Sequence, residues 1–134
     1  MSTTRPAIRV QIDHNPSPVL RFAAAELRGA LKTALGTSAT TRTGRHHEQG
    51  LIIRMGSSAC GQLAAVRPRL DARRRELATE GFVLKRIGSE LLIAGRDDSG
   101  TLRGTHAFIE RCLGVRWYFP DQPIAPKLSI KRFF

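Results

Sequence analysis

Cysteine is scarce in this sequence, and its two cysteines belong to no recognisable motif. Cys60 and Cys112 are far apart, and neither has a second cysteine or a histidine at short spacing. Disulfide scaffolds and structural zinc sites both need several such residues close together. The sequence therefore argues against both classes, and we expect no metal and no cofactor.

Long apolar runs are also missing. No stretch of about 18 apolar residues is present, so we expect no membrane span. The start, MSTTRPAIRV, lacks the apolar core of a secretory signal, which favours a cytoplasmic chain or one without its leader. The length of 134 residues can bury a core, and we interpret residues 1–134 as a single domain.

Acidic residues are few compared with basic ones. The chain has 11 acidic and 22 basic residues, which gives a formal net charge of +11, and 18 of the basic residues are arginine. They are scattered over the whole chain, which is typical of a solvated basic surface. A surface that binds nucleic acid or another polyanion is the alternative that this charge leaves open.

Apolar periodicity predicts strands and helices in alternation. Strands are predicted at residues 7–12, 51–55, 82–87 and 91–94, the last two forming an antiparallel hairpin. Helices are predicted at residues 18–35 and 101–113, each with one apolar face. Residues 37–50 are interpreted as an exposed loop, and residues 59–79 as a short surface helix or a loosely ordered segment.

The ends of the two main helices have recognisable signals. Ser17 is expected to cap the first helix, and Asp98 or Ser99 the second. Gly114 is the expected stop of the second helix. Two apolar helix faces need a sheet to cover, so the predicted fold is α+β, a mixed β-sheet with both main helices packed on one face. Its expected buried residues include Leu27, Leu31, Ile109 and Leu113.

Residues 81–120, GFVLKRIGSELLIAGRDDSGTLRGTHAFIERCLGVRWYFP, resemble the end of the N-terminal domain of alpha-glucuronidases and their glycan-degrading relatives. The chain is more widely similar to the domain that precedes the barrel in beta-N-acetylhexosaminidases. The resemblance implies the same sheet and helix arrangement, in an accessory domain without a catalytic residue. Arg103 departs from it, since such domains usually hold an aromatic residue there.

The resemblance implies a non-catalytic accessory domain of an alpha-glucuronidase-like, carbohydrate-degrading glycoside hydrolase, stand-alone or truncated. Its expected partner is a catalytic barrel domain or another protein chain, and a polysaccharide is a further candidate. A (β/α)8 barrel needs about 250 residues, so no catalytic barrel fits in this chain, and we expect no catalysis by it alone. A small basic protein that binds nucleic acid or a polyanion is the alternative from another class.

The candidate interface residues lie near the end of the chain. Arg116, Trp117 and Tyr118 are of the types enriched in interface anchors, suited to a sugar ring or another domain. The competing interpretation buries Trp117 in the core and leaves Arg116 and Tyr118 outside. Phe133 and Phe134 complete an apolar tail, which we expect to self-associate or to bind another chain.

Two further patterns invite a binding function and are better explained otherwise. Gly95 to Gly100 has the glycine spacing of a phosphate loop, but Thr101 stands where that loop needs lysine, and Asp97 and Asp98 would repel phosphate. His46 and His47 lack a second pair of ligands to complete a metal site. We interpret the first as a capped helix start and the second as exposed loop residues.

Catalytic residues are not evident either. Cys60 would need His14 or His106 as its base, and nothing in the sequence links them. Glycoside hydrolysis needs two carboxylates on opposite sides of a sugar, and neither Asp97 with Asp98 nor Glu110 makes a convincing pair. We therefore expect no catalytic residue in this chain.

Overall fold

The computed structural model describes residues 8–35, 39–43, 51–114, 116–119 and 122–124, with side chains for residues 8–34 and 51–114. The elements are β1 (Ile8–Ile12), α1 (Pro18–Leu35), β2 (Ala39–Thr43), β3 (Leu51–Met55), α2 (Ser57–Val66), α3 (Pro68–Arg75), β4 (Phe82–Ile87), β5 (Glu90–Gly95), α4 (Asp98–Phe108), a π-helical turn (Ile109–Leu113), β6 (Arg116–Phe119) and β7 (Gln122–Ile124). The α+β class predicted from the sequence is confirmed.

Five strands form the main sheet in the order β2-β1-β3-β5-β4. Strands β1, β2, β3 and β5 are parallel, and β4 pairs antiparallel with β5, as predicted for the hairpin. The interpretation of residues 39–43 as part of a loop was wrong, because they pair with β1 along its full length. Their sequence, ATTRT, is polar but rich in β-branched threonine, which favours a strand at the edge of a sheet.

Helices α1 and α4 lie on the same face of this sheet, as predicted. Leu27, Leu31, Ile109 and Leu113 are each at most 1% exposed. They belong to one apolar cluster with alternate residues of three strands, namely Ile8, Val10, Ile12, Ile53, Met55, Leu91 and Ile93. Alternate residues of a strand point to one face, so this cluster is the main core.

The opposite face is covered by α2 and α3. Ala59 and Leu63 of α2 pack against Leu92 and Ala94, which point away from the main core. The interpretation of residues 59–79 as a short surface helix or a loosely ordered segment was therefore right for α3, a short helix with several exposed residues, and wrong for α2, which packs on the sheet. Strand β5 is apolar on both sides, and a parallel sheet is normally covered on both faces, so a second helical layer is required there.

The helix ends follow the sequence signals in two of three cases. The Ser17 hydroxyl accepts a hydrogen bond from the Leu20 backbone N–H at 3.1 Å and caps α1. Gly114, with a left-handed φ of 71°, ends the π-helical turn that follows α4. The third case, the α4 cap, differs from the prediction and is described below. In the described ranges, no helix combines the length and apolarity that crossing a bilayer requires.

Candidate functional site

The loop between β5 and α4 is held by the carboxylate of Asp97. Its Oδ1 accepts a hydrogen bond from the Gly100 N–H at 2.7 Å, and its Oδ2 accepts one from the Glu80 N–H at 3.2 Å. The predicted caps, Asp98 and Ser99, were wrong. Asp97 has the extended backbone that a cap needs, whereas Asp98 already begins the helix. Asp97 also stabilises Glu80, whose φ of 68° is unfavourable for a residue with a side chain.

Two glycines allow the backbone segments of this loop to approach each other. A Cβ on Gly100 would lie 2.2 Å from the carbonyl oxygen of Gly81, and one on Gly95 would lie 2.2 Å from the Thr101 nitrogen. The Arg96 N–H donates to the same Gly81 oxygen at 2.8 Å. The glycines are therefore required by close packing of the backbone against itself.

The threonine hydroxyls of this loop also bond within the fold. The Thr101 hydroxyl accepts from the Gly95 N–H at 3.2 Å, and the Thr105 hydroxyl donates to the Thr101 carbonyl at 2.8 Å. The Asp97 carboxylate occupies the N-terminus of α4, where a phosphate would bind. The Gly95–Thr101 segment is therefore a joint between β5 and α4. This agrees with its interpretation from the sequence as a capped helix start.

A buried arginine fastens α3 to this joint. Arg74, 9% exposed, donates from Nε to Asp71 Oδ1 at 2.9 Å and from Nη1 to the Gly95 carbonyl at 3.0 Å. Asp71 is itself only 5% exposed. Both residues lie in the range for which a short surface helix or a loosely ordered segment is expected from the sequence. The only sequence signal for the Asp71–Arg74 ion pair is the three-residue spacing of its members. Such spacing is also common on exposed helices, so it does not indicate burial.

Cys60 is a packed side chain of α2. Its Sγ lies 3.7 Å from the Gly95 carbonyl, to which it donates a weak hydrogen bond. Burial raises the pKa of the Cys60 thiol, and the Arg74 guanidinium offsets this only in part. His106 lies on α4, on the other face of the sheet, with its Nε2 3.7 Å from Glu26 Oε1. The structure thus does not bring Cys60 and His106 together as nucleophile and base.

Many described carboxylates take part in folding contacts. Asp13 Oδ1 accepts from the Ser57 N–H at 2.7 Å at the start of α2, and Glu90 forms an ion pair with Arg54. Glu80 Oε2 lies 3.2 Å from Arg103 Nη1, so the residue that departs from the family pattern forms a surface ion pair. Among the described residues, the carboxylates without such contacts are exposed and lie apart in the chain: Glu76 in the turn after α3, Asp98 at the start of α4 and Glu110 in the π-helical turn.

The described part of the chain contains no group of three or more histidine, cysteine, aspartate or glutamate residues that could hold a metal ion. His46 and His47 lie outside the described residues. The described carboxylates that make contacts mainly cap helices and join elements.

The predicted interface residues are only partly described. Arg116, Trp117 and Tyr118 lie in β6, which pairs antiparallel with β7 in a separate two-stranded sheet, with Trp117 opposite Pro123. This segment is therefore extended. The outward direction of Arg116 and Tyr118 stays a prediction, and Phe133 and Phe134 lie outside the described residues.

Comparison with known proteins identifies a family. The family model described as "Glycosyl hydrolase family 67 N-terminus" matches residues 3–108, well over half of the chain. A search of curated proteins finds no match.

Solved structures share the fold. A family GH115 4-O-methyl-alpha-glucuronidase, BtGH115A, with specificity for decorated arabinogalactans, is 25% identical with a TM-score of 0.60 over 93% of this chain. A GH138 enzyme targeting pectin rhamnogalacturonan II is 16% identical with a TM-score of 0.54 over 88% of this chain. This chain spans only 17% of the first enzyme and 11% of the second. The resemblance noted in the sequence is confirmed: the protein belongs to the family of glycosyl hydrolase family 67 N-terminal domains.

Proposed function

We propose that this chain is a non-catalytic accessory domain that supports the catalytic domain of a carbohydrate-degrading glycoside hydrolase. The observation that carries the proposal is the Gly95–Thr101 joint. This loop lies within the range matched by the family model, and its carboxylate, glycines and hydroxyls are used to join β5, α4 and the turn at Glu80. A motif used in this way supports a scaffold function.

The size of the related enzymes supports the same proposal. This chain corresponds to less than a fifth of each of the two structural relatives, so their activities belong to much longer chains. One of those relatives is an alpha-glucuronidase and the other targets a pectin component. We propose that the enzyme served by this domain likewise acts on a polysaccharide that bears uronic acids, and that a catalytic barrel is the partner.

The proposed contact with that partner is made by the end of the chain. Tyr118, Phe133 and Phe134 are the residues we expect to take part, because apolar and aromatic side chains anchor interfaces. Deleting residues 129–134 should leave a folded protein that associates less with itself or with a partner chain. Sedimentation that shows a monomer at high concentration, with and without these residues, would refute this contact.

A domain exchange tests the supporting function. In this experiment the chain replaces the corresponding domain of a GH115 alpha-glucuronidase. The resulting enzyme is compared with a deletion variant that lacks the domain. We expect the enzyme with the exchanged domain to unfold at a higher temperature than the deletion variant. Both enzymes should catalyse the same reaction.

The matched control is the same exchange with Gly100→Val, which clashes with the Gly81 backbone and disrupts the domain without shortening the chain. It should behave like the deletion variant. If the intact and the Gly100→Val exchanges give the same unfolding temperature, the chain does not support a catalytic domain.

A further inference from the structure

The corner between α2 and α3 forms an open cavity of about 450 Å³. This volume falls in the range of about 300–1,000 Å³ that is usual for small-molecule sites. Its lining alternates between arginines and apolar side chains: Val66, Arg67, Pro68, Arg69, Leu70 and Arg73. We call this cavity the α2–α3 corner. It lies on the face of the sheet opposite α1.

The positive charge of the α2–α3 corner is not neutralised by the fold. Arg69 and Arg73 are exposed and four residues apart, so they lie on the same side of α3. In the part of the chain that the structure describes, neither forms an ion pair with a carboxylate. Asp71, the acidic residue of this helix, is buried and engaged by Arg74 and Arg75. Two like charges at this spacing destabilise a helix slightly, so an anionic ligand would relieve a repulsion.

The combination of arginines and apolar surface suits a carboxylated sugar. A guanidinium binds a carboxylate through two parallel hydrogen bonds. Val66, Pro68 and Leu70 provide apolar surface for the C–H groups of a sugar ring. We propose that the α2–α3 corner binds a uronic acid residue of a glycan, with Arg69 and Arg73 on its carboxylate. The choice of a glycan among carboxylate ligands rests on the proposed function.

A nucleic acid fits this cavity less well. Proteins that bind single strands stack the bases on aromatic side chains along a basic groove, and no aromatic side chain lines the α2–α3 corner. A duplex requires a row of several phosphate contacts, whereas this cavity gathers three arginines at one point. The geometry therefore favours a compact carboxylated ligand.

The test measures binding to an oligogalacturonate and to a glucuronate-terminated oligosaccharide, each as the free acid and as the methyl ester. Variant R69Q/R73Q should lose at least about tenfold in affinity, as expected for losing one charged hydrogen-bonded contact. The matched control, R21Q/R28Q, removes two exposed arginines from α1 on the other face and should bind within about twofold of wild type. Thermal melting confirms that both variants fold.

Binding of either acid that disappears on esterification and with R69Q/R73Q supports the site. Absence of binding, an equal loss in both variants, or tighter binding of single-stranded DNA at the same ionic strength would overturn it. None of these results bears on the domain exchange described above, so a failed binding site and a failed accessory role remain distinguishable. Nuclear magnetic resonance shifts at the Val66 and Leu70 amides on adding the acid give an independent readout, and their absence would also overturn the site.

Discussion

The guanidinium of Arg74 donates a hydrogen bond to the carbonyl oxygen of Gly95 across 3.0 Å, and so ties α3 to the last residue of β5. The same carbonyl accepts from the Cys60 thiol of α2, while the Gly95 N–H donates to the Thr101 hydroxyl of α4. Helices from both faces of the sheet therefore meet at one residue. The Gly95–Thr101 segment is thus a structural joint.

Arg74→Met should be strongly destabilising. It leaves the buried Asp71 carboxylate with only the exposed Arg75 beside it, 3.5 Å away, and breaking a buried ion pair usually costs about 3–5 kcal/mol. We expect a loss of about 3 kcal/mol in the free energy of unfolding, measured with denaturant.

Two variants serve as controls for Arg74→Met. Arg75→Ala removes an exposed partner of the same carboxylate and should cost less than about 1 kcal/mol. The double variant D71A/R74M removes both buried charges and should be more stable than Arg74→Met alone. If Arg74→Met is no worse than Arg75→Ala, the contact with Gly95 does not hold the joint together.

A pair of glycine substitutions tests the close backbone approach. Gly100→Ala would place a Cβ 2.2 Å from the Gly81 carbonyl oxygen and should cost about 3 kcal/mol because the backbone must shift. Gly29→Ala meets nothing within 4 Å on α1 and should stabilise by roughly 0.5–1 kcal/mol, since alanine favours helix. Thermal unfolding of both variants measures this contrast, and similar melting temperatures would contradict it.

The two thiols predict a loss of stability in alkaline solution. Burial raises the pKa of both Cys60 and Cys112 above the ordinary value of 9.0. Above this value the unfolded chain releases thiol protons that the folded chain keeps, so stability falls as the pH rises towards the folded-state pKa. Unfolding at about pH 8 and about pH 10 measures this loss. The variant C60A/C112A should lose less stability than the wild type between these two pH values. An equal loss in both proteins would show that the thiols are not its cause.

The sequence predicted the elements that bury one clear apolar face. Leu27 and Leu31 recur at helical spacing, and the apolar residues of β1 alternate as in a strand. From such patterns α1, α4 and the side of the sheet that they cover could be inferred before the structure. The Ser17 cap and the Gly114 stop could be inferred for the same reason, since each is a local device.

The parts that sequence analysis missed depend on contacts between distant residues. The apolar stripe of α3 is thin because its buried face carries Asp71 and Arg74, whose ion pair satisfies charges that a periodicity argument assigns to solvent. Residues 39–43 form strand β2 because they can pair with the edge of β1. The α2–α3 corner arises where two helices that the sequence did not separate meet at Pro68. The threonines of β2 are only a weak local signal, and both β2 and the corner depend on neighbouring elements that are distant in sequence or not evident from it.

The most direct test of the proposed non-catalytic role is a hydrolysis assay on the isolated chain. The substrates are aryl glucuronides and aryl N-acetylhexosaminides, at high protein concentration, with release of the aryl group as the readout. We predict a rate equal to that of buffer. Turnover that is abolished by Glu76→Gln, Asp98→Asn or Glu110→Gln, which among the described residues are the exposed carboxylates without a folding contact, would contradict the accessory-domain account.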